Sequence, residues 1–431
     1  MTLEPHPLRG AVLGEVHARP FAAISPPLRL LHFAFMTDAE LAARDRTAFG
    51  EFVAMRGHRG PDAASKHYRV AFADSALRWE QHAEFTTYTW ELASPDRTPF
   101  ARPAGELQKV MLQLPQPGPL MVAADLHFLS EADGSAWQKV FDQASLVAFE
   151  TEAGDALVAT DFLAANDGFV RILVLDRGMS PPRAGIFVQQ LLELETYRTF
   201  CLLGLPEAQR LQPVVRRIEQ SLGEITAEMT RSEGLNANKA LLHRLMAVAG
   251  ELEAGATQSQ FRFGATRAYS EIVRARLGAL RERPIDGLQT VTAFMDRRLM
   301  PAMRTCFGMQ DRQMDLSYKL MHAANLLRTR VDIDVEEQNG NLLKAMSERT
   351  RLQLRLQQTV EGLSVAAISY YVANLLGYVL DILPAGAWGV DVKYIKAIVT
   401  VAIVAGMTLI VLRIRRKHSE QASAGTVAQM E

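Results

Sequence analysis

Apolar and polar positions alternate repeatedly between about residues 67 and 176, which is the pattern of half-buried β-strands. The clearest segments read KHYRVAF, LRWEQHAEFTTYTWEL, LMVAADLHFL, SLVAFETE and GFVRILVLD. Helical spacing intervenes over Asp38–Arg56 and Gly134–Gln143. We therefore predict an α/β domain over residues 1–178, ending where Gly178 and the proline pair at 181–182 interrupt both strands and helices.

Beyond residue 178 the chain becomes almost entirely helical in pattern, with apolar and charged positions mixed at helical spacing. Helix-length segments are Ile186–Leu203, Pro206–Ser232, Asn236–Glu253 and Ser259–Arg281, and further helices follow Pro284 and Pro301. These segments predict a helical domain over residues 179–310.

A long amphipathic pattern begins near Asp311 and continues toward Leu380. Its apolar positions keep three- and four-residue steps, at Leu316, Leu320, Ala323, Leu327, Val331, Leu342, Met346, Leu352, Leu356 and Val360. We predict a stalk helix over residues 311–362 that runs directly into the segment after it. Because so long a helix is not covered by its own domain, the stripe predicts a homo-oligomer formed through the stalk.

Polar residues interrupt this stripe near its middle, at Asp334, Gln338, Asn339, Gly340 and Asn341. Polar groups in a helical seam can fix the register or the number of the associated helices. A hinge favoured by Gly340 and a water-filled lumen are the alternative interpretations.

Two apolar runs follow the stalk. Residues 363–380 read LSVAAISYYVANLLGYVL, and the second span, residues 394–412, contains AIVTVAIVAGMTLIVL preceded by Lys396, which can extend to the headgroups. A membrane-spanning helix needs about 20 apolar residues, within a range of roughly 17–25. We predict a transmembrane hairpin over residues 363–412. Buried core helices are the alternative, but apolar residues cover every face of the second run.

Flanking charge predicts the orientation of this hairpin. A basic tail over residues 413–431 opens with RIRRK, and three arginines lie within residues 349–355, whereas the connecting segment 381–396 has two lysines against two aspartates. Residues 2–27 do not resemble a secretory signal. The positive-inside rule then places both termini in the cytoplasm and the protein in the cytoplasmic (inner) membrane, with the lipid bilayer as its partner.

Polar residues also form a stripe along the first span. Tyr371, Asn374 and Tyr378 are three and four residues apart, and Tyr370 borders them. Polar side chains in a membrane helix usually face protein or water rather than lipid. The stripe therefore indicates either interhelical hydrogen bonds or the lining of a pore.

Composition argues against several classes of protein. The formal net charge is −1, so no basic face for a nucleic-acid partner is indicated. The sequence has no Walker A loop, GxGxxG, HExxH, CxxC or G-x-S-x-G motif, and its two cysteines are far apart. We expect no enzymatic activity, no cofactor and no metal site, and no particular small-molecule or ion ligand is indicated.

Two short segments combine acidic, basic and aromatic residues. EVHARPF contains Glu15, His17 and Arg19, and RAYSEIV contains Arg267, Tyr269 and Glu271, of which the arginine and the glutamate are four residues apart. Inter-domain ion pairing and packing is one interpretation of both segments, and a ligand site is the other.

EVHARPF, RAYSEIV and QQTVEGLSVAAISYY together resemble an uncharacterised family of bacterial membrane-anchored proteins, classed as a domain of unknown function. The resemblance covers essentially the whole chain and implies a membrane location. More distantly, the layout is similar to that of the CorA-type magnesium transporters, which have an α/β domain, a long stalk helix and two spans. The Gly-Met-Asn tripeptide that follows the first span in those transporters is missing, so magnesium selectivity is not implied.

Together these patterns predict an α+β membrane protein with a CorA-like layout. The expected function is that of a non-enzymatic, oligomeric, membrane-anchored scaffold or sensor. The alternative is a divergent ion channel or metal-cation transporter that uses the polar face of the first span.

Overall fold

The computed structural model describes residues 4, 6–9, 12–13, 21–62, 65–94, 96–134, 136–382 and 392–427. Within these residues, the strands are β1 (Leu28–Met36), β2 (His67–Ala71), β3 (Ser75–Gln81), β4 (Phe85–Ala93), β5 (Leu120–Ser130), β6 (Val147–Thr151), β7 (Ala156–Ala164), β8 (Val170–Asp176) and β9 (Glu282–Pro284). They form one nine-stranded sheet in the order β2-β3-β4-β1-β5-β8-β7-β6-β9. The pair β5–β8 is parallel and the other neighbouring pairs are antiparallel. The fold is therefore α+β with a mixed sheet.

The helices are mostly long. They are α1 (Ala39–Ala54), α2 (Ala104–Leu107), α3 (Pro181–Cys201), α4 (Gly204–Met229), α5 (Leu235–Leu280), α6 (Val291–Ile382) and α7 (Val392–Val427). The chain divides into two compact units. The first, here called the sheet unit, contains Met1–Ser232 and Lys239–Leu327, and the second, the helical unit, contains Glu233–Asn238 and Arg328–Glu431.

Side chains of the sheet alternate between two buried faces, as the pleat requires. On β1, Leu30 joins the core that contains Leu191 of α3. Its neighbour Leu31 joins the opposite core, which contains Phe49 and Phe52 of α1. Helices thus cover both faces, which is why β1 carries apolar residues at both odd and even positions rather than on one face only.

Strand β1 lies inside the sheet between β4 and β5, although its sequence carries two polar residues that argue against a buried segment. Both polar side chains have partners. Arg29 donates to the Asp125 carboxylate at 2.8 and 2.5 Å, and His32 lies between two threonine hydroxyls. Satisfied polar groups can be buried, and the alternation rule does not detect them.

Several predicted boundaries differ from the structure because packing overrides local signals. Helix α5 is continuous where two helices were predicted, and the hydroxyl of buried Ser259 donates to the Gly255 carbonyl inside it. Helix α6 starts at Val291 rather than near residue 311 and includes Pro301, since Leu299 and Met303 on either side are buried in the core. The helix predicted over Gly134–Gln143 is only the 3-10 turn Trp137–Val140.

The segment between α5 and α6 adds a strand to the sheet. In β9, Arg283 and Pro284 pair with Glu150 and Phe149 of β6. Residues from the predicted helical segment therefore complete one edge of the sheet.

Candidate functional site

Helices α6 and α7 each contain a stretch that is long and apolar enough to cross a membrane. Almost none of the residues in these stretches is buried within the chain itself. Lys396 of α7 donates to the carboxylate of Asp381 at the end of α6, which joins the two helices near their connection. Residues 383–391 of that connection lie outside the described part of the chain.

The predicted polar stripe is exposed. Tyr370, Tyr371 and Tyr378 have 66%, 67% and 72% of their surface accessible, and Asn374 is exposed as well. Ser369, one residue before the stripe, is buried. The stripe therefore lies on a face of α6 that the described residues leave uncovered.

The part of α6 before the apolar stretch is also uncovered. Every residue from 341 to 364 is exposed, including the apolar side chains of Leu352 and Leu356. Asp334 belongs to the polar residues that interrupt the apolar stripe of the stalk. It accepts a hydrogen bond from the Asn238 amide at 2.8 Å, within the helical unit. At least one gap residue is thus bound within the chain.

The RAYSEIV residues are not brought together. The guanidinium of Arg267 lies 4.5 Å from the ring of Phe307 and donates to the Gln310 side chain at 3.0 Å, while Glu271 is exposed. Tyr269 packs 5.4 Å from Tyr197. Burial, followed by the nearby Glu84 carboxylate, raises the pKa of Tyr269. Both Arg267 and Tyr269 therefore contact other residues of the sheet unit.

The EVHARPF residues Glu15, His17 and Arg19 lie outside the described residues, as do the last four residues of the basic tail. The remaining candidate is a feature that sequence reasoning missed.

A polar pocket of about 350 Å³ lies inside the sheet unit. Its floor is the face of β1, β3 and β4 that carries His32, Arg78, Glu80 and Thr87. Helices α3 and α5 form its other walls. The signal for this floor was present in the sequence, because Arg78 and Glu80 are two residues apart on one strand face, but the partner strands could not be inferred.

His32 on this floor is neutral. The Thr196 hydroxyl donates to the Leu192 carbonyl at 2.8 Å, so it accepts from Nε2 of His32 at 2.9 Å. In the neutral ring Nδ1 then accepts from the Thr89 hydroxyl at 2.8 Å. Burial, with a smaller contribution from the charge of Arg78, lowers the pKa of His32 to about 3. The imidazole is a fixed neutral part of the pocket wall.

A chain of polar contacts crosses the pocket. Arg78 Nη1 donates to the side-chain oxygen of Gln189 at 3.2 Å, and the Gln189 amide donates to Glu193 at 2.9 Å. The other oxygen of Glu193 accepts from Nε of Arg276 at 2.5 Å. The charge of Glu193 is thereby balanced by that of Arg276, whereas Nε of Arg78 has no hydrogen-bond partner among the described residues.

Within the described residues, no group of three or more His, Cys, Asp and Glu side chains is arranged to hold a metal ion.

A search of curated proteins found no match. The sequence profile of a family described as a protein of unknown function (DUF3422) matches residues 4–418, which is nearly the whole chain. The chain therefore belongs to the DUF3422 family.

Proposed function

We propose that this protein is a non-enzymatic, membrane-anchored homo-oligomer that acts as a scaffold or sensor at the cytoplasmic membrane. In this proposal α6 and α7 insert as a hairpin, and copies of the chain associate along α6. Both termini lie in the cytoplasm.

The observation that carries the proposal is the exposure of apolar side chains on α6 and α7. Leu352 and Leu356 expose 65% and 67% of their surface, and Ile398 and Val401 of α7 expose 70% and 69%. Burying one such side chain stabilises a structure by about 1.5–3 kcal/mol. Exposed apolar patches of this extent mark interaction surfaces in soluble proteins. Lipid supplies burial for the two apolar stretches, and a second copy supplies it for residues 341–362.

Asn374 supports self-association within the bilayer. An amide in the hydrocarbon region needs hydrogen-bond partners, and this amide is exposed on the single chain. A neighbouring copy can provide partners to Asn374 and to the adjacent tyrosine hydroxyls. The same exposed stripe favours the second candidate function, a divergent ion channel or metal-cation transporter, in which water in a pore provides the partners.

Thiol labelling of whole cells tests the proposed topology. A cysteine replacing Ala385 should react with a membrane-impermeant maleimide added outside, whereas one replacing Ser419 should react only after permeabilisation. The native Cys201 and Cys306 are buried and give a low background. Labelling of position 419 but not 385 would reverse the orientation, and release of the protein from membranes by alkaline carbonate would refute insertion.

A further inference from the structure

The polar pocket of the sheet unit contains buried donors that the protein leaves without partners. Arg78 has 8% of its side chain exposed, and its Nε has no hydrogen-bond partner among the described residues. The hydroxyl of Thr87 is buried and also has no hydrogen-bond partner among the described residues. Buried polar groups are nearly always satisfied in proteins, so two unmet donors in one pocket indicate a ligand that supplies acceptors.

The geometry of these donors favours a carboxylate. The guanidinium presents its N–H groups in a planar fork that matches the two oxygens of a carboxylate. Thr87 is the cross-strand partner of Glu80, two residues from Arg78, so its hydroxyl lies beside the same region of the floor. Both donors therefore lie on the same face of β3 and β4.

A negative group adjoins this donor pair. The Glu80 carboxylate is buried and lies 3.7 Å from Arg78 Nε, too far for a hydrogen bond. Among the arginine and glutamate side chains of the lining, Arg78 and Arg276 are matched in number by Glu80 and Glu193, and His32 is neutral. A ligand with a net negative charge would leave this buried site unbalanced, whereas a compact zwitterion keeps it neutral.

Apolar side chains also line part of the pocket. Phe85, Leu192 and Ile272 line it beside the charged floor. Its volume of about 350 Å³ is in the range of small-molecule sites, which is roughly 300–1,000 Å³. An apolar group attached to the zwitterion would be buried against these side chains.

We propose that this pocket binds a free α-amino acid with an apolar side chain. Its carboxylate contacts Arg78 and Thr87, its ammonium contacts Glu80, and its side chain packs against Phe85, Leu192 and Ile272. This inference goes beyond the proposed function and depends on neither membrane insertion nor self-association.

Calorimetric titration of the full chain in non-ionic detergent tests the ligand class with four probes. These are L-leucine, 4-methylpentanoate (which lacks the ammonium), isoamylamine (which lacks the carboxylate) and inorganic phosphate. Leucine should bind, and each of the other three should bind at least about tenfold more weakly, since each loses a charge-assisted contact. Equal binding of 4-methylpentanoate, tighter binding of phosphate, or no binding of leucine would each overturn the proposal.

Substitution of Glu80 tests the assignment of the ammonium. In Glu80→Gln the preference for leucine over 4-methylpentanoate should fall at least about tenfold, because the ammonium loses its charged partner. Glu91→Gln is the matched control, since Glu91 is buried on the same face of the sheet but pairs with Arg69 outside the pocket lining. It should keep the wild-type preference.

Thr87→Val keeps the test decisive if Glu80→Gln does not fold. Valine has nearly the shape of threonine without the hydroxyl, so leucine and 4-methylpentanoate should both bind several-fold more weakly, with their ratio unchanged. A wild-type preference in Glu80→Gln, or wild-type affinity for leucine in Thr87→Val, would contradict the assignment.

Discussion

One helix has two different surroundings along its length. In the sheet unit, α6 buries Leu316, Leu320 and Leu327, which expose at most 3% of their surface. In the helical unit the same spacing continues, yet Leu352 and Leu356 expose about two thirds of theirs. The apolar pattern specifies that a face is to be buried but not which partner buries it. In the first case the chain supplies the partner, and in the second no partner comes from the part of the chain that the structure describes.

Polar groups show the same contrast. The sheet unit pairs Arg29 with Asp125 and holds His32 between two hydroxyls, all of them buried. The helical unit leaves Asn374 exposed in an apolar stretch. Variants of the sheet unit should therefore change unfolding, and variants of α6 beyond residue 340 should change association.

The largest effect is expected from replacing Leu352 and Leu356 together by Asp. Two charges in the proposed seam would be unpaired and buried, so the assembly should dissociate completely to protomers. Size-exclusion chromatography with light scattering in mild detergent measures this. Gln358→Asp adds a charge roughly opposite Leu356 on the helix and should leave the assembly intact; dissociation in both variants would remove the argument for a specific seam.

The next largest effect concerns the buried ion pair of the sheet unit. Asp125→Asn leaves the Arg29 guanidinium buried without its counter-charge, which should lower the free energy of unfolding by about 3–5 kcal/mol. Urea titration followed by tryptophan fluorescence measures it, because Trp79 and Trp90 lie in the sheet. The half-exposed pair Arg210–Glu207 provides the control, since Glu207→Gln should cost at most about 1 kcal/mol.

The oligomer size of Asp125→Asn should equal that of the wild type. A smaller oligomer of Asp125→Asn without urea, where the sheet is still folded, would show that a change in the sheet unit alters association.

A smaller effect should follow acidification. The pKa of folded His32 is about 3 because of burial, against 6.5 when unfolded, so the unfolded state binds the proton first. Above pH 6.5 the neutral His32 makes its full contribution to the free energy of unfolding. As the pH falls from 6.5 to 3, the free energy of unfolding decreases by about 1.4 kcal/mol per pH unit. The same urea titrations, repeated from pH 7.5 to 5, measure the slope.

His32→Gln isolates this contribution, because the amide can still bond both threonines without titrating. The pH dependence should be shallower in the variant, although His127, whose pKa is lowered to about 4 chiefly by burial, retains its own share. An unchanged slope would contradict the neutral assignment of His32.

The smallest effect is expected from Asn374→Leu. If the amide bonds a neighbouring copy, association should weaken by about 1 kcal/mol per contact, and the membrane should stay as impermeable as before. Dilution of the detergent-solubilised oligomer measures the strength of association. Dye-reported cation flux in proteoliposomes measures the permeability of the membrane. The channel would be favoured instead if the wild type conducts cations and the variant does not, while both have the same oligomer size.

The sequence predicts the elements of this fold better than their arrangement. The predicted strand segments coincide with β2, β5, β6 and β8, and the segment LRWEQHAEFTTYTWEL covers most of β3 and β4. Strand β1 was not predicted, since both of its faces are buried and Arg29 and His32 interrupt the pattern. Its place in the sheet depends on partners about 60 and 100 residues away, which periodicity does not encode.

The same limit applies to the pocket. Arg78 and Glu80 were visible as charged residues in a strand, but the pocket that they line also needs Thr87 from the next strand and Gln189 from a helix. The polar stripe on α6 was predicted from spacing alone, because a helix fixes which side chains share a face. Local geometry can be predicted from one segment, whereas a pocket assembled from distant segments cannot.

Native mass spectrometry of the wild-type protein, extracted from membranes in mild detergent, tests the central claim most directly. We predict that the protein remains with the membrane through an alkaline carbonate wash and then appears at a mass of two or more 47.8 kDa chains. A monomer at micromolar concentration, or a protein that the wash releases, would contradict the account.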